Sequence, residues 1–131
     1  MKIFLFIICI SASIAGCKKG NLIPAGLTGT WELRHYSGTI AGVDKDVPAG
    51  NGTLMQFKSD GTYASFTDSK QNSQGPYKII RNNITVGDKK YDGLYLNGGT
   101  IGSFIYLKSD TLTIGDTFPD GVTSLYVRQQ L

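Results

Sequence analysis

Few side chains in this sequence are suited to catalysis. Hydrolytic chemistry needs a nucleophile with a nearby base, or two carboxylates held together. Glu32 is the only glutamate, His35 is the only histidine, and the acidic residues lie mostly beside glycine or lysine. The chain has no Gly-x-Ser-x-Gly motif and no phosphate-binding loop. We therefore expect that the protein is not an enzyme.

The small number of histidine, cysteine and suitably spaced acidic residues also argues against a metal or another cofactor. A transition-metal site usually needs several histidine or cysteine ligands, and His35 has no second histidine to join it. The acidic segments 44–46 and 116–121 do not have the spacing of a calcium loop and are interpreted as solvated turns. His35 remains a candidate for a hydrogen bond to a bound ligand. No cofactor is predicted.

The N-terminus is typical of an export signal. Met1-Lys2 supplies a positive charge, and residues 3–10 are an uninterrupted apolar run followed by small residues. This run is about half of the ~20 apolar residues that cross a bilayer, which favours a cleaved leader over a membrane span. We assign residues 1–16 to this signal peptide. Cys9 leaves with the leader, so Cys17 is the only cysteine after it.

The segment Ile14-Ala-Gly-Cys17 resembles the bacterial lipobox. The resemblance implies that Cys17 is joined to diacylglycerol and becomes the new N-terminus after cleavage. Several acyl chains, such as palmitate, make membrane attachment lasting, whereas one chain holds only reversibly. Residues 17–26 are then a lipidated tether. The absence of Asp after Cys17 implies the outer membrane of the cell envelope, with the domain facing the periplasm.

Length and composition limit the kind of domain that the tether carries. The chain has 131 residues, which allows one compact domain, residues 27–131. Its 17 glycines are about 13% of the residues, near twice the usual ~7%, which disfavours a helical bundle. A net charge of +3 is too small to indicate nucleic-acid binding. We expect a monomer.

Strand candidates recur at short intervals from residue 27 onward. Runs of apolar or alternating residues bounded by turn residues are typical of antiparallel strands. The predicted strands are 30–37, 53–58, 62–67, 77–81, 84–86, 91–96, 101–107, 111–114 and 123–129. The segments 84–86 and 91–96 could also form one bent strand.

Short connections between these strands determine their direction. Ser59-Asp60-Gly61 and Asn82-Asn83 predict type I′ hairpins, because Gly and Asn tolerate positive φ. Asn97-Gly98-Gly99 and Pro119-Asp120-Gly121 predict further tight turns. Such links are too short for parallel crossovers, so neighbouring strands are antiparallel. Only 39–52 and 67–74 are long enough to be mouth loops.

An all-β domain of about eight antiparallel strands can be an up-and-down barrel or a sandwich. A barrel leaves no exposed strand edges. A sandwich needs a long connection, and only residues 39–52 could supply one. We therefore predict a single antiparallel up-and-down β-barrel.

The segment Gly29-Thr30-Trp31 resembles the first strand of lipocalins and fatty-acid-binding proteins. The resemblance implies that Trp31 closes the bottom of the barrel. It also implies that a late-strand arginine, here Arg128, stacks over the indole.

A closer resemblance is to the lipocalin-like domain of small bacterial lipoproteins, which have a calycin-type barrel. Four motifs in order carry it, and together they cover nearly all of residues 27–131. They are Trp31-Glu-Leu33, Phe57-Lys-Ser-Asp-Gly-Thr-Tyr63, Gly75-Pro-Tyr77 and Tyr126-Val-Arg128. The family's motif between the sixth and seventh strands is not clearly present.

The alternation of side chains along a strand predicts which residues share a face of the sheet. It groups Trp31, Leu33 and His35 on one face of the first strand, with Glu32, Arg34 and Tyr36 on the other. The tentative ligand-binding residues are His35, Phe57, Tyr63, Tyr77, Phe104, Tyr106 and Tyr126. An eight-stranded barrel is just wide enough to be filled by side chains or to hold one small ligand.

Two functions are consistent with these observations. In the first, a membrane-anchored lipocalin-like protein binds a small apolar or amphipathic ligand in the cell envelope. The 39–52 loop then lies at the mouth of the pocket, and its wall is formed by Tyr63, Tyr77, Phe104 and Tyr106. In the second, the barrel is filled and acts as a protein-interaction or inhibitor module. A cavity of about 300 Å³ or more would favour the first.

Overall fold

Strands make up all the regular structure of the described chain. The computed structural model describes residues 23–130, so the predicted signal peptide 1–16 and Cys17 lie outside the described residues. Within 23–130 there are nine strands and no helix. They are β1 (Gly29–Gly38), β2 (Val43–Asp46), β3 (Leu54–Phe57), β4 (Thr62–Thr67), β5 (Lys70–Val86), β6 (Lys89–Leu96), β7 (Ser103–Lys108), β8 (Thr111–Gly115) and β9 (Thr123–Arg128). Over the same residues, no helix has the length and hydropathy needed to cross a bilayer.

Eight of the strands close into a barrel. β1 pairs with β3 on one side and with β9 on the other, and each strand from β3 to β9 pairs with the next along the chain. All of these pairings are antiparallel. The predicted closed up-and-down barrel is therefore confirmed, and the sandwich alternative is wrong. Because the barrel is closed, β1 has a neighbouring strand along each of its two edges.

The up-and-down order gives the barrel two different ends. The lower end carries the start of β1, the end of β9 and the turns after β3, β5 and β7. The upper end carries the remaining connections, including the segment between β1 and β3. β2 lies at this upper end, where its four residues pair with the upper half of β1 as far as Gly38. The predicted 39–52 loop thus contains a short strand that alternation did not reveal.

The turn between β3 and β4 differs in type from the prediction. Gly61 has φ of +83°, but Asp60 is not among the residues with positive φ, so the turn is not type I′. The Gly61 N–H donates to the carbonyl oxygen of Lys58 at 3.2 Å, and the Lys58 N–H donates to that of Thr62 at 2.8 Å. The Asp60 carboxylate accepts from the Thr62 hydroxyl at 2.6 Å and from its N–H at 2.9 Å. These bonds lower the pKa of Asp60.

Two other predicted connections are wrong. Asn82-Asn83 is not a turn, because β5 continues through it as a bulge between Ile80 and Ile84, and Asn82 takes the positive φ. The predicted strands 77–81 and 84–86 are therefore one strand, and 84–86 is joined to 91–96 by a hairpin. Residues 67–74 are not a long loop, since Asp68 and Ser69 form a tight turn with positive φ at both positions.

A bulge in β1 changes the predicted face assignment. Leu33 pairs with Tyr126 of β9, but the register shifts between Leu33 and His35. After the shift, His35 is opposite Leu125 and Tyr36 is opposite Ser124. A shift of one residue exchanges the two faces of a strand. Tyr36 therefore joins Trp31 and Leu33 on the inner face, and His35 lies on the outer face, contrary to the prediction.

The core occupies the lower half of the barrel. Its buried residues are Leu27, Trp31, Phe57, Tyr63, Tyr77, Ile79, Leu94, Ile105 and Leu112. Most come from inward positions of different strands, so that neighbouring side chains meet across the interior. Leu27 precedes β1, and its side chain is fully buried. The N-terminal segment therefore packs into the lower end of the barrel.

Candidate functional site

Trp31 occupies the lower end of the interior and is fully buried. Its Nε1–H donates to the carbonyl oxygen of Leu27 at 2.8 Å, so the polar edge of the indole is satisfied. The Cζ atom of Arg128 lies 4.2 Å from the centroid of the indole ring, and Arg128 is the strand partner of Trp31 across β1 and β9. The structure thus brings together the two residues for which the sequence predicted a closing pair.

Arg128 also links the N-terminal segment to the barrel. Its Nη1–H donates to the carbonyl oxygen of Thr28 at 3.0 Å, and its Nη2–H donates to that of Gly26. Its Nε–H donates to the Asp110 carboxylate at 3.2 Å. A planar guanidinium can make these bonds while its face lies on an aromatic ring. The lower end is therefore closed by one side chain that contacts β1, the chain before it and the turn after β7.

Further aromatic side chains pack with Trp31 in the lower half of the interior and form its apolar floor. The rings of Phe57 and Tyr77 meet edge to face, with centroids 5.1 Å apart. The Tyr77 hydroxyl donates to the carbonyl oxygen of Lys58 at 3.0 Å. Burial raises the pKa of Tyr77, and the nearby Asp60 carboxylate adds to the rise. Both residues were predicted ligand contacts, and the structure places both in the packed core.

The upper half of the interior is less filled than the lower half. Several residues share the inner face by register yet are only half-buried, and we call this set the upper ring. Its members are Leu33, Tyr36, Met55, Ser65, Ser73, Leu96, Ile114, Ser124 and Tyr126. The partial exposure of these inward side chains means that solvent reaches the upper part of the interior. We call the part of the interior that the upper ring surrounds the chamber.

Polar groups of three side chains meet at the Tyr63 hydroxyl, next to the upper ring. The Tyr63 hydroxyl lies 2.8 Å from the Ser73 hydroxyl, and the Asn97 Nδ2–H donates to it at 2.9 Å. Gly75 allows this approach, because a Cβ at that position would lie 1.8 Å from the Asn97 amide oxygen. Tyr63 thus joins the apolar floor, where its ring is buried, to the polar part of the chamber.

Tyr126 is the predicted ligand residue that the structure places in the upper ring. It packs against the core and is opposite Leu33 on β1 and Leu112 on β8. Burial raises the pKa of Tyr126, although a hydrogen bond with Ser124 opposes part of the rise. The neutral hydroxyl is the form that can both donate and accept a hydrogen bond. The serines of the upper ring were missed, because a serine in a strand gives no pattern signal of its own.

Glu32 holds the segment that rises beside the chamber. Its side chain is buried on the outer side of β1, where Oε1 accepts from the Gly50 N–H at 2.7 Å. Oε2 lies 3.6 Å from Nη1 of Arg34. Asn51 Nδ2–H donates to the carbonyl oxygen of Leu33 at 2.8 Å. The segment 48–52 is thereby fixed against β1 at the upper end, a role that the sequence did not suggest for its only glutamate.

Phe104 and Tyr106 were predicted to belong to the pocket wall, but they do not lie on the inner face of the barrel. Their strand neighbours Ile105 and Leu107 pair with inner-face residues of β8, which places Phe104 and Tyr106 on the outer face. Tyr106 is 51% exposed. Phe104 covers Gly115, where a Cβ would come within 2.3 Å of its ring. The expectation that these two side chains line the interior does not fit this placement.

His35 also lies away from the chamber. Its Nδ1 is 2.8 Å from Asp46 Oδ1, and its Nε2 is 2.9 Å from Asp44 Oδ1. Both carboxylates belong to β2, so the imidazole ties β2 to β1 on the outer face. The residue is engaged with the protein and does not line the interior. Within residues 23–130, no group of three or more His, Cys, Asp or Glu side chains could hold a metal ion.

Comparison with known proteins leaves the function to be argued from geometry. No protein-family model matches the chain, and no curated protein and no solved structure gives a significant match. The fold is a closed antiparallel barrel of eight strands, compatible with the calycin-like fold that the sequence resemblance implied.

Proposed function

We propose that this protein is a lipid-anchored, lipocalin-like protein of the cell envelope that shelters a small apolar or amphipathic molecule in the upper half of its barrel. The observation that supports this proposal is the contrast along the interior. Most of the lower inward residues are buried, whereas those of the upper ring are only half-buried. An open upper chamber above a sealed floor is the arrangement that a single-ended binding site needs.

The side chains of the chamber define the ligand class. Met55, Leu96 and Ile114 offer apolar surface next to the core. The hydroxyl groups of the upper ring come from its serines and tyrosines, and these are neutral donors and acceptors. The inner positions of the ring carry no formal charge. A molecule with an apolar body and an uncharged polar end fits this surface, with the apolar part directed toward the floor.

A binding role is favoured over catalysis for the same reasons. The hydroxyl groups of the chamber have no imidazole beside them, because His35 is held on the outer face by Asp44 and Asp46. The only glutamate is engaged by Gly50 and Arg34 outside the barrel wall. A hydroxyl without an adjacent base is a weak nucleophile. We propose that the chamber binds its ligand without changing it and needs no cofactor.

A fluorescent amphiphile tests the chamber. The neutral dye N-phenyl-1-naphthylamine should bind the protein and gain fluorescence, and Ser124→Phe should weaken its binding at least about tenfold by filling the upper ring. Thr113→Phe is the matched control, since Thr113 is opposite the outer-face residues Tyr106 and Leu125. It should leave the dissociation constant within about twofold.

Two results would contradict the proposal. Equal probe binding by both variants would place the probe outside the barrel. No binding by the natural chain would favour the filled-barrel alternative, an interaction or inhibitor module. Far-UV circular dichroism of Ser124→Phe, and a second filling variant at Ser65 on the facing wall, separate loss of the chamber from loss of the fold.

The anchoring part of the proposal is tested separately. Cys17→Ser removes the thiol that would carry the acyl chains, so the protein should move from the membrane fraction to the soluble fraction. Separation of inner and outer membranes should find the natural chain in the outer one. Continued sedimentation of the variant with membranes would contradict anchoring through Cys17. Analytical ultracentrifugation of the soluble variant tests the proposed monomer.

A further inference from the structure

The barrel wall is incompletely paired between β6 and β7. The two strands share only three residue pairs, from Asp92 opposite Ile105 to Leu94 opposite Ser103. Below these pairs, the first residues of β6 and the last residues of β7 have no partners in each other. By contrast, β7 and β8 stay paired down to Lys108 and Thr111. The lower part of the β6–β7 junction is therefore open.

A lateral cleft of about 380 Å³ occupies this opening. Ile105 and Leu107 give it an apolar base, and Tyr91 and Tyr106 form its walls, with ring centroids 6.3 Å apart. Arg81 and Lys90 lie at its edge. A second concavity of about 470 Å³ shares Lys90 and both tyrosines and adds Lys89. The combined lateral site is distinct from the upper chamber, because it opens through the wall at the lower end.

The charges of the lateral site are unbalanced. Arg81, Lys89 and Lys90 are exposed, and none of them forms an ion pair with another residue of the described chain. Asp92 also lines the cleft, but its Oδ1 accepts the N–H of Asn82 at 3.0 Å. Asp88, in the turn between β5 and β6, is the other nearby acid. Three cations against these two carboxylates favour an anionic ligand.

The N-terminal segment reaches the same place. Pro24 and Ala25 line the cleft, and Ile23 packs against the core beside it. An acyl anchor at Cys17, which is part of the proposed function, would therefore bring the bilayer to this end of the barrel. Exposed tyrosine rings and basic side chains are the groups that favour a membrane–water interface.

We propose that the lateral site binds the anionic headgroup of a membrane phospholipid, with Arg81, Lys89 and Lys90 around the phosphate and Tyr91 and Tyr106 against the glycerol and upper acyl segments. The lower end then lies on the bilayer, and the upper chamber faces away from it. The site orients the barrel, whereas the tether alone would only restrict its distance from the membrane.

Calorimetry with a water-soluble short-chain lipid tests this proposal without the acyl anchor. The chain from residue 17 onward, without the predicted leader and carrying Cys17→Ser, is titrated with dihexanoyl phosphatidylglycerol below its micelle concentration. The double variant Arg81→Gln, Lys90→Gln should weaken binding at least about tenfold, because each basic residue near an anionic surface contributes several-fold. Lys45→Gln, Lys70→Gln removes the same charge at the upper end and should change affinity less than about twofold.

The remaining probes decide among the alternatives. Equal binding of dihexanoyl phosphatidylcholine, or an equal loss in both double variants, would overturn the proposal, since neither depends on charge at the lateral site. Binding of glycerol phosphate as tight as that of the lipid would show a free phosphoester site and would also overturn it. Ser124→Phe should leave lipid binding unchanged. A loss in that variant would move the lipid to the upper chamber and contradict the lateral site.

Discussion

The lower and upper halves of the barrel share the same strands but are filled in different ways. Below, Trp31, Leu112 and their neighbours exclude water, and Arg128 closes the end with bonds to the N-terminal segment. Above, inward positions carry serines and half-buried residues such as Ile114. A small domain without disulfides depends on buried apolar area for its stability. The comparison indicates that the lower half contributes most of the packing that stabilises the fold.

The two faces of the sheet at β6 and β7 also differ, because each face carries its own apolar cluster. Ile105 belongs to the inner core, whereas Ile84 is buried outside that core, near Tyr91 and Phe104 on the outer face. The rings of Tyr91 and Phe104 lie 5.2 Å apart. Gly93 and Gly115 leave room beside these side chains. One stretch of sheet thus carries two apolar clusters, and the outer one forms part of the lateral site.

Removal of the indole should have the largest effect on stability. Trp31→Ala should lower the free energy of unfolding by about 3–5 kcal/mol, because it leaves a cavity at the sealed end. Urea unfolding followed by far-UV circular dichroism measures this, since the variant has no tryptophan to report. Tyr106→Ala is the control, an outer-face aromatic whose loss should cost about 0.5 kcal/mol or less. Equal losses would mean that the inner and outer aromatic residues contribute alike.

A pair of substitutions on β8 compares the two halves directly. Leu112→Ala should cost about 2–5 kcal/mol, the range for a fully buried leucine. Ile114→Ala, two residues along on the same face, should cost about half as much because its side chain already keeps contact with solvent. Urea midpoints of the two variants give the ratio. A larger loss at Ile114 would show that the upper half is packed as tightly as the lower.

Arg128 tests how the lower end is closed. Arg128→Lys keeps the positive charge but cannot bond both carbonyl oxygens while stacking on the ring, so we expect a loss of about 1–2 kcal/mol. Hydrogen exchange should show faster exchange of the Leu27 N–H, which donates to the carbonyl oxygen of Pro24. If the variant unfolds at the natural midpoint with unchanged exchange, the arginine does not hold the N-terminal segment.

The smallest effect concerns the turn at the lower end. The bonds from Thr62 lower the pKa of Asp60, so this carboxylate stabilises the fold above the usual value of 3.8, and the contribution is lost as pH falls through the lowered pKa. Thr62→Val removes the hydroxyl bond and should move the pKa of Asp60 upward. Carboxyl-carbon NMR titration measures it, with Thr85→Val as a distant control. An unchanged titration would show that the hydroxyl does not set this pKa.

Much of the interior was predictable where one face of a strand is clearly more apolar. Phe57 and Tyr63 flank the short turn between β3 and β4, so alternation from that turn gives their face. The segment Ser103-Phe-Ile-Tyr-Leu-Lys108 has apolar residues on both faces, and its pattern does not say which face is inside. Phe104 and Tyr106 were assigned inward for this reason, and pairing of Ile105 with Ile114 places them outward.

By itself, the sequence determined that neighbouring strands are antiparallel, because links of a few residues permit no parallel crossover. It did not determine the number of strands, since it missed β2 and divided β5 at Asn82-Asn83. It also predicted the closing pair of Trp31 and Arg128 through the resemblance of their motifs. The tertiary structure decided which residues after each bulge face inward, as at His35 and Ile84. A bulge inverts the alternation, and its position depends on a neighbouring strand that lies far away in the chain.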